Sequence, residues 1–150
     1  MRKILSRGKR VDNGEWVEGL PHENNTMIIS DSVPDWNDEY CSPEYWYSVD
    51  PATVGQCTGL KDKNGVKIFE GDILEVKSGW SKGELIDNGN LPAEYKTRWT
   101  VEWKNHNTQM GFFTYGLDRR WFKPLTWSRL FNADAVVVGN IHDNPELLKV

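Results

Sequence analysis

Two sharp bends directly before an apolar strand constrain the fold of this chain more than any other feature of its sequence. Asn64-Gly65 is a strong turn signal because both residue types accept positive φ, and Glu70-Gly71-Asp72 supplies the second bend. We therefore expect positive φ at Gly71 and at both residues of Asn64-Gly65. In the run that follows, a period of two puts Leu74 and Val76 on one face of a strand buried fully on that side and partly on the other. A bend that leads into such a strand is a common start of a small β-barrel.

The clearest alternation of apolar and polar residues lies at 95–103, where Trp99 and Val101 occupy the apolar face. Polar residues 104–108 predict a turn, and residues 110–115 predict the antiparallel return strand. This part of the chain therefore reads as a long hairpin.

Shorter signals extend the same pattern along the chain. An N-terminal hairpin is predicted at 3–20, with its turn at Asp12-Asn13-Gly14, and a helical turn is predicted at 126–131. Asn144-Pro145-Glu146 predicts the start of a final helix, because Asn caps, Pro suits the first turn and Glu favours the N-terminal end. Strands are also predicted at 26–30, 45–49 and 135–141, an ordered loop at 35–48, and a mobile excursion at 77–92.

These elements predict a mainly β fold, an SH3-like small barrel with short helices that include a C-terminal one. The predicted barrel strands are 68–76, 95–103, 110–115 and 135–141. A chain of 150 residues is most economically one domain. We expect residues 1–53, the hairpin and loop region, to pack on a barrel core formed by residues 54–150.

The composition of the chain limits where the protein can reside and what it can bind. The net charge of −4 argues against a broad electropositive surface for duplex binding, although a local basic patch is compatible with it. Eight tryptophans, five tyrosines and five phenylalanines predict an aromatic core. Cys41 and Cys57 read as reduced thiols, and neither a leader peptide nor a membrane span is apparent. We therefore expect a soluble, cytoplasmic protein without a membrane partner.

No motif identifies a reaction, a cofactor or a metal. His22, His106 and His142 lack partners at metal-ligand spacing, and the acidic residues between 35 and 44 lack the alternating ligands of a calcium loop. Nucleophile signatures and phosphate-binding loops are also missing from the sequence. The sequence therefore predicts no catalytic, cofactor-binding or metal-binding residue.

Cations lie beside aromatic residues at four places in the second half of the chain. Aromatic platforms beside cations bind single-stranded nucleic acid by stacking, but the same composition arises when tryptophans fill a small barrel and arginines cover its rim. Arg119, Arg120 and Trp121 are the candidate contact surface, since Pro124 indicates an exposed connection there. The four places are Arg98-Trp99, Trp103-Lys104, residues 119–123 and residues 127–129.

Three segments of the chain match a known family. They are Arg7-Gly8-Lys9 with Trp16-Val17-Glu18-Gly19, residues 49–60 continuing through Asp62-Lys63-Asn64-Gly65 to Gly71-Asp72, and residues 138–148. On these segments the chain resembles the YopX-like proteins of bacteriophages and prophages. The resemblance implies a phage-encoded protein inside a bacterial host cell, and it carries over no catalytic residues.

Three functional hypotheses follow. The first is a non-enzymatic module that binds a protein partner or its own copies as a homo-oligomer. The second is a single-stranded nucleic-acid-binding protein, which the negative net charge disfavours. An enzyme of unknown reaction is the third.

Overall fold

The computed structural model describes residues 5–22, 24, 26–30, 46–77, 96–106, 109–116 and 122–149. It is mainly β, with two antiparallel sheets and a short α-helix. The chain divides into two compact units, residues 1–57 and 58–150. The elements are β1 (Ser6–Arg10), β2 (Trp16–His22), β3 (Met27–Ser30), β4 (Trp46–Lys61), β5 (Lys67–Phe69), β6 (Asp72–Lys77), β7 (Lys96–His106), β8 (Gln109–Gly116), β9 (Phe122–Pro124), α1 (Trp127–Asn132), β10 (Val136–Asn140) and a 3₁₀ helix at Pro145–Leu148.

The first unit is built on the N-terminal hairpin that the sequence predicts. β1 pairs antiparallel with β2, and Gly14 closes the turn between them with φ of +73°. β2 pairs with β3, which confirms the predicted strand at 26–30, and β4 pairs with both β3 and β1. Gly8 lies so close to β4 that an added Cβ would be 3.0 Å from Val49.

The length of β4 corrects the sequence prediction. The sequence predicts a strand only over residues 45–49, whereas β4 continues for 16 residues. Gly59 is accommodated in this strand with φ of +82°. The Thr58 hydroxyl, which donates to the Ile68 carbonyl at 2.8 Å and accepts from the Leu60 amide at 3.1 Å, supports the irregular backbone.

The two predicted bends of the second unit are present, but with one difference. Gly65 and Gly71 have φ of +82° and +90°, as predicted, whereas the prediction of positive φ at Asn64 is wrong. The Asp62 carboxylate accepts from the Asn64 and Val66 amides at 2.8 and 2.9 Å. This side-chain turn leaves only its last residue, Gly65, in the left-handed region.

The second unit centres on a sheet with the order β10-β6-β7-β8-β9. Leu74, Val76, Trp99 and Val101 are buried together on one face, which confirms the predicted periodicity of β6 and β7. Leu130 of α1 packs on the same cluster. Burying these side chains, at ~2 kcal/mol each, is the main source of stability in this unit.

The β7–β8 hairpin is longer than predicted. β7 runs to His106, which pairs with Gln109, so the predicted five-residue turn at 104–108 is wrong. The ladder continues because Lys104 and Asn105 still have partners, Gly111 and Met110, on β8.

The C-terminal elements lie where the sequence predicts them, but the last one differs from the prediction in type. Thr126 is the N-cap of α1, and its hydroxyl accepts from the Arg129 amide, as the predicted helical turn requires. The predicted final helix is a single 3₁₀ turn, and Asn144 does not cap it with its side chain. Its Oδ1 accepts from the Asn140 amide at 3.3 Å instead.

Closure of the fold into a barrel is not confirmed. Among the described strands, β10 pairs only with β6 and β9 only with β8, so no strand pairing closes this sheet. The SH3-like barrel and the single-domain organisation stay predictions, and the excursion predicted at 77–92 lies outside the described residues except for Lys77. Within the described part of the chain no helix could span a membrane.

Candidate contact surface

The far end of the β7–β8 hairpin exposes apolar side chains on the same face of the sheet as the core. Trp103 follows Trp99 and Val101 on this face by strict alternation, and it is opposite Phe112 in the β7–β8 register. The Trp103 and Phe112 rings meet edge to face with centroids 4.9 Å apart. Trp103 is 45% exposed, and Met110 on the same face is 70% exposed.

Helix α1 presents a second aromatic pair. Leu130 points into the core and is only 3% exposed, while Trp127 and Phe131 are 64% and 65% exposed. These two residues are four positions apart and therefore share one side of the helix. Their rings stack with centroids 5.2 Å apart and an interplanar angle of 16°.

A backbone hydrogen bond joins the two segments that carry these pairs. The Leu125 amide donates to the Phe112 carbonyl at 2.9 Å, which places the start of α1 directly beside β8. Leu125 and Phe112 are half-buried against the core. We call the set Trp103, Met110, Phe112, Trp127 and Phe131 the aromatic surface.

Arg129 of α1 is directed at β8 and β9. Its guanidinium lies 4.4 Å from the centroid of the Trp99 ring and donates to the Thr114 hydroxyl at 2.6 Å and the Pro124 carbonyl at 3.1 Å. Burial lowers the pKa of Arg129 from its ordinary value. Arg129 therefore ties α1 to β8 and β9.

Two other cations of the basic-aromatic pattern, Arg98 and Lys104, also have partners within the protein. Arg98 donates to the Leu147 carbonyl at 3.0 Å and lies 3.8 Å from the Glu75 carboxylate. The Lys104 ammonium is 3.7 Å from the Glu102 carboxylate. These contacts agree with the reading in which cations cover the rim of an aromatic core.

Arg119, Arg120 and Trp121, the contact residues predicted from sequence, lie outside the described residues, so this contact stays a prediction. Sequence reasoning missed Met110, Phe112 and Phe131 as members of this surface. The spacing of Trp127 and Phe131 was a usable signal, because residues four apart on a helix share one side.

Comparison with known proteins identifies the family. A family model described as "YopX protein" matches residues 7–149 of the chain. The chain belongs to the YopX family. Its structure is similar to the crystal structure of protein EF1440 from Enterococcus faecalis, with 26% sequence identity and a TM-score of 0.56, over 99% of this chain and 100% of that chain. No curated relative matches the chain.

Two of the segments that carry the YopX resemblance meet in the second unit. The Asp62 carboxylate accepts from the Val137 amide at 2.9 Å, and the Ile141 amide donates to the Gly71 carbonyl at 2.9 Å. Asn140 Oδ1 accepts from the amides of the two residues after Ile141 at 3.0 and 2.9 Å. These polar side chains accept hydrogen bonds from backbone amides. This structural role accounts for their residue types without a catalytic or ligand-binding role.

The described residues contain no group of three or more His, Cys, Asp or Glu side chains that could hold a metal ion. His142, which belongs to the resemblance segment at 138–148, lies beside Gly71. An added Cβ on Gly71 would be 3.7 Å from His142 Nε2. His22 belongs to the first unit, where its ring lies 5.7 Å from that of Trp46.

Helix α1 ends in a Schellman motif with an unusual residue. The Ala135 amide donates to the Leu130 carbonyl at 3.1 Å and the Asp134 amide to the Phe131 carbonyl at 3.3 Å. Asp134 takes the left-handed position with φ of +49°, where glycine is usual, and it is exposed. Its negative charge is also unfavourable beside the C-terminal end of a helix.

We expect Asp134→Gly to raise the free energy of unfolding by about 0.5–1 kcal/mol, because glycine adopts this conformation without strain and removes the charge. Chemical denaturation of the variant measures the change. Asp134→Ala is the matched control, since it removes the charge but keeps the strained Cβ. Equal stability of the two variants would mean that the backbone conformation carries no cost.

Proposed function

We propose that this YopX-family protein is a non-enzymatic interaction module that binds a protein through the aromatic surface. One observation carries the proposal: Trp103, Met110, Trp127 and Phe131 are each 45–70% exposed and lie on two segments that the Leu125 amide joins. Single exposed apolar residues are common, but a group of this size is typical of a binding surface. Aromatic residues and Met are also enriched in protein–protein interfaces.

The engagement of the nearby cations supports a protein partner over nucleic acid. A single-strand site combines free ring faces with a positively charged groove. Here Arg98, Lys104 and Arg129 contact protein carbonyl or carboxylate oxygens, and the chain carries a net charge of −4. Trp127 and Phe131 already stack on each other, so each ring offers one face fewer to a base.

The family resemblance also supports a proposal for the origin, the location and the fold of the protein. We propose that the protein is phage-encoded and acts in the cytoplasm of a bacterial host, and that residues 54–150 form an SH3-like small barrel within one YopX-like domain. The homo-oligomer anticipated from the sequence belongs to the same proposal.

The double variant Trp127→Ser, Phe131→Ser tests the proposed function. We expect at least a tenfold loss of protein partners recovered from host lysate, with or without nuclease, while the thermal transition stays within a few degrees of wild type, because both side chains are exposed. Val66→Ser, at the exposed turn before β5, is the matched control.

Unchanged recovery by the double variant would contradict the proposal. Recovery that disappears only after nuclease treatment, together with single-strand affinity that falls steeply with added salt, would favour nucleic-acid binding instead.

Arg119, Arg120 and Trp121 remain a second proposed contact, which rests on the sequence alone. Replacing all three with alanine is expected to weaken partner recovery and to leave the thermal transition nearly unchanged. Unfolding of the triple variant would assign these residues a structural role, and normal binding would place the contact elsewhere.

A further inference from the structure

We infer that the protein partner of the aromatic surface contributes an extended segment, which pairs as an additional strand with the edge of β7 at Trp103 and Asn105. The segment belongs to a different protein and alternates apolar with polar residues. This inference rests on the proposed function, because Trp103 is part of the aromatic surface, and it names the chemistry of the partner.

The register of the β7–β8 hairpin shows which backbone groups of β7 face away from β8. Trp103 is opposite Phe112, whose carbonyl accepts from the Leu125 amide at 2.9 Å on the other side of β8. Trp103 and Phe112 therefore form a non-hydrogen-bonded pair, and the same holds two positions further along, at Asn105. The amides and carbonyls of Trp103 and Asn105 consequently point away from β8.

The position beside this edge is one that β6 does not reach. Among the described residues, the last backbone hydrogen bond on this side of β7 runs from the Gly71 amide to the Val101 carbonyl, at 2.8 Å. The chain leaves β7 at this point, because Gly71 has φ of +90° and the preceding strand, β5, pairs with β4 instead. No described strand lies beside Trp103 and Asn105 on this side.

Other edges of the same sheet are protected in ways that this edge is not. On β10, the Val137 amide donates to the Asp62 carboxylate at 2.9 Å. The Asn140 amide of β10 donates to the Asn144 side chain at 3.3 Å. On β9, Pro124 has no amide donor to offer. Because natural sheets block the edges that must not pair, an edge without such a block is suited to an added strand.

The backbone groups at this edge specify the backbone of the partner segment. Trp103 and Asn105 each present one amide donor and one carbonyl acceptor, which an extended backbone matches at both residues. Both neighbours of β7 run antiparallel to it. An antiparallel segment continues this arrangement, and its residue opposite Trp103 can exchange both hydrogen bonds.

The two faces of β7 specify the side chains of the segment. Residues opposite Trp103 and Asn105 place their side chains on the face of the aromatic surface, where the Trp103 ring, 45% exposed, favours a large apolar residue. The residue between them lies on the opposite face, beside Glu102 and Lys104, whose charged groups are 3.7 Å apart, and there a polar residue is favoured. At ~3.4 Å per residue, about five segment residues cover the remainder of β7.

Amide hydrogen exchange of the isotope-labelled full chain, measured by NMR, tests the inference. The probe is a capped peptide of about eight alternating leucine and threonine residues, with a lysine at each end for solubility. Bound peptide should slow exchange of the Trp103 and Asn105 amides by about tenfold or more. The Lys104 amide should change little, since Lys104 already pairs with Gly111.

Backbone changes on either side of the interface separate strand addition from simple apolar contact. N-methylation of the leucines, whose amides face β7 in this arrangement, should raise the peptide Kd by about tenfold or more, whereas N-methylation of the threonines should change it less than about threefold. Asn105→Pro removes one outward amide without breaking a β7–β8 hydrogen bond, and it should raise Kd about tenfold. Asn105→Thr, which keeps the amide, is the matched control and should bind as wild type does.

Three results would overturn the inference: a peptide that does not bind, equal losses from the two N-methylated peptides, or wild-type affinity of a folded Asn105→Pro variant. If Asn105→Pro lowers the thermal transition, the N-methylated peptides decide. Protection of the Trp103 and Asn105 amides in the protein alone would also overturn it. Such protection would come from the chain itself if it is independent of concentration, and from a second copy if it rises with concentration.

The lysate assay separates this inference from the proposed function. If the Trp127→Ser, Phe131→Ser variant loses its lysate partners while the β7 edge fails the tests above, the proposed function stands and strand addition is wrong. If that variant keeps its partners while the peptide binds as expected, the proposed function fails and the β7 edge remains a peptide-binding site.

Discussion

Asp62→Ala is expected to lower the free energy of unfolding by about 3 kcal/mol, because one carboxylate holds three backbone amides. Asp62 Oδ1 accepts from Asn64 and Val66 at 2.8 and 2.9 Å, and Oδ2 accepts from Val137 at 2.9 Å. Hydrogen bonds to charged groups contribute about 1.5–3 kcal/mol each, and two of these amides belong to exposed residues, which reduces the loss. Urea denaturation of the purified variant measures it.

Two further variants test whether the expected loss of stability comes from these three hydrogen bonds. Asp62→Asn can keep an acceptor towards the turn but directs an amide donor at the Val137 amide, so about half the loss is expected. Asp50→Ala removes an exposed carboxylate that accepts only from the Ala52 amide at 3.0 Å, and it should cost less than about 1 kcal/mol. Wild-type stability of Asp62→Ala would show that these bonds are replaced by water without cost.

Gly139→Ala is expected to cost about 2 kcal/mol through a direct steric conflict. A Cβ on Gly139 would lie 2.4 Å from Asn144 Oδ1 and 2.8 Å from Asn144 Cγ. The Asn144 side chain must then move and give up its hydrogen bond from the Asn140 amide, and overpacking of this kind costs about 1–3 kcal/mol. Thermal and urea unfolding should both report the loss.

A double-mutant cycle with Asn144→Ala identifies the conflict. In that background Oδ1 and Cγ are gone, although Asn144 Cβ remains 3.0 Å away, so Gly139→Ala should cost about half as much. An equal cost in both backgrounds would locate the effect in the backbone at residue 139.

Local signals predicted the elements whose determinants are close together in sequence. The hairpin of β1 and β2 follows from Asp12-Asn13-Gly14, and β7 follows from its alternation, which leaves Trp99 and Val101 buried. Helix α1 begins at the predicted position because Thr126 can cap it.

Predictions failed where distant residues decide the local structure. β4 continues through residues of weak strand propensity, because pairing with β1 and β5 outweighs that weakness. The final helix is limited to a 3₁₀ turn because the Asn144 side chain turns back to β10 instead of capping.

The candidate contact surface could be predicted only in part from the sequence, for a related reason. The spacing of Trp127, Leu130 and Phe131 predicts a helical turn, but three apolar residues on so short a helix do not reveal which of them faces the core. The packing of Leu130 beneath the helix decides that, and it leaves the aromatic pair outside. Likewise, no local signal shows that Arg129 would reach the Trp99 ring.

The bond between Asp62 and Val137 has a consequence for the order of folding. Its two residues are 75 positions apart, and β10 pairs with β6 across a similar distance. Contacts of such separation slow folding, because a long loop must close before any of them forms. During synthesis at about 5–20 residues per second, the turn after β4 therefore waits several seconds for β10 to emerge. Until then, the outer edge of β6 is open to other chains.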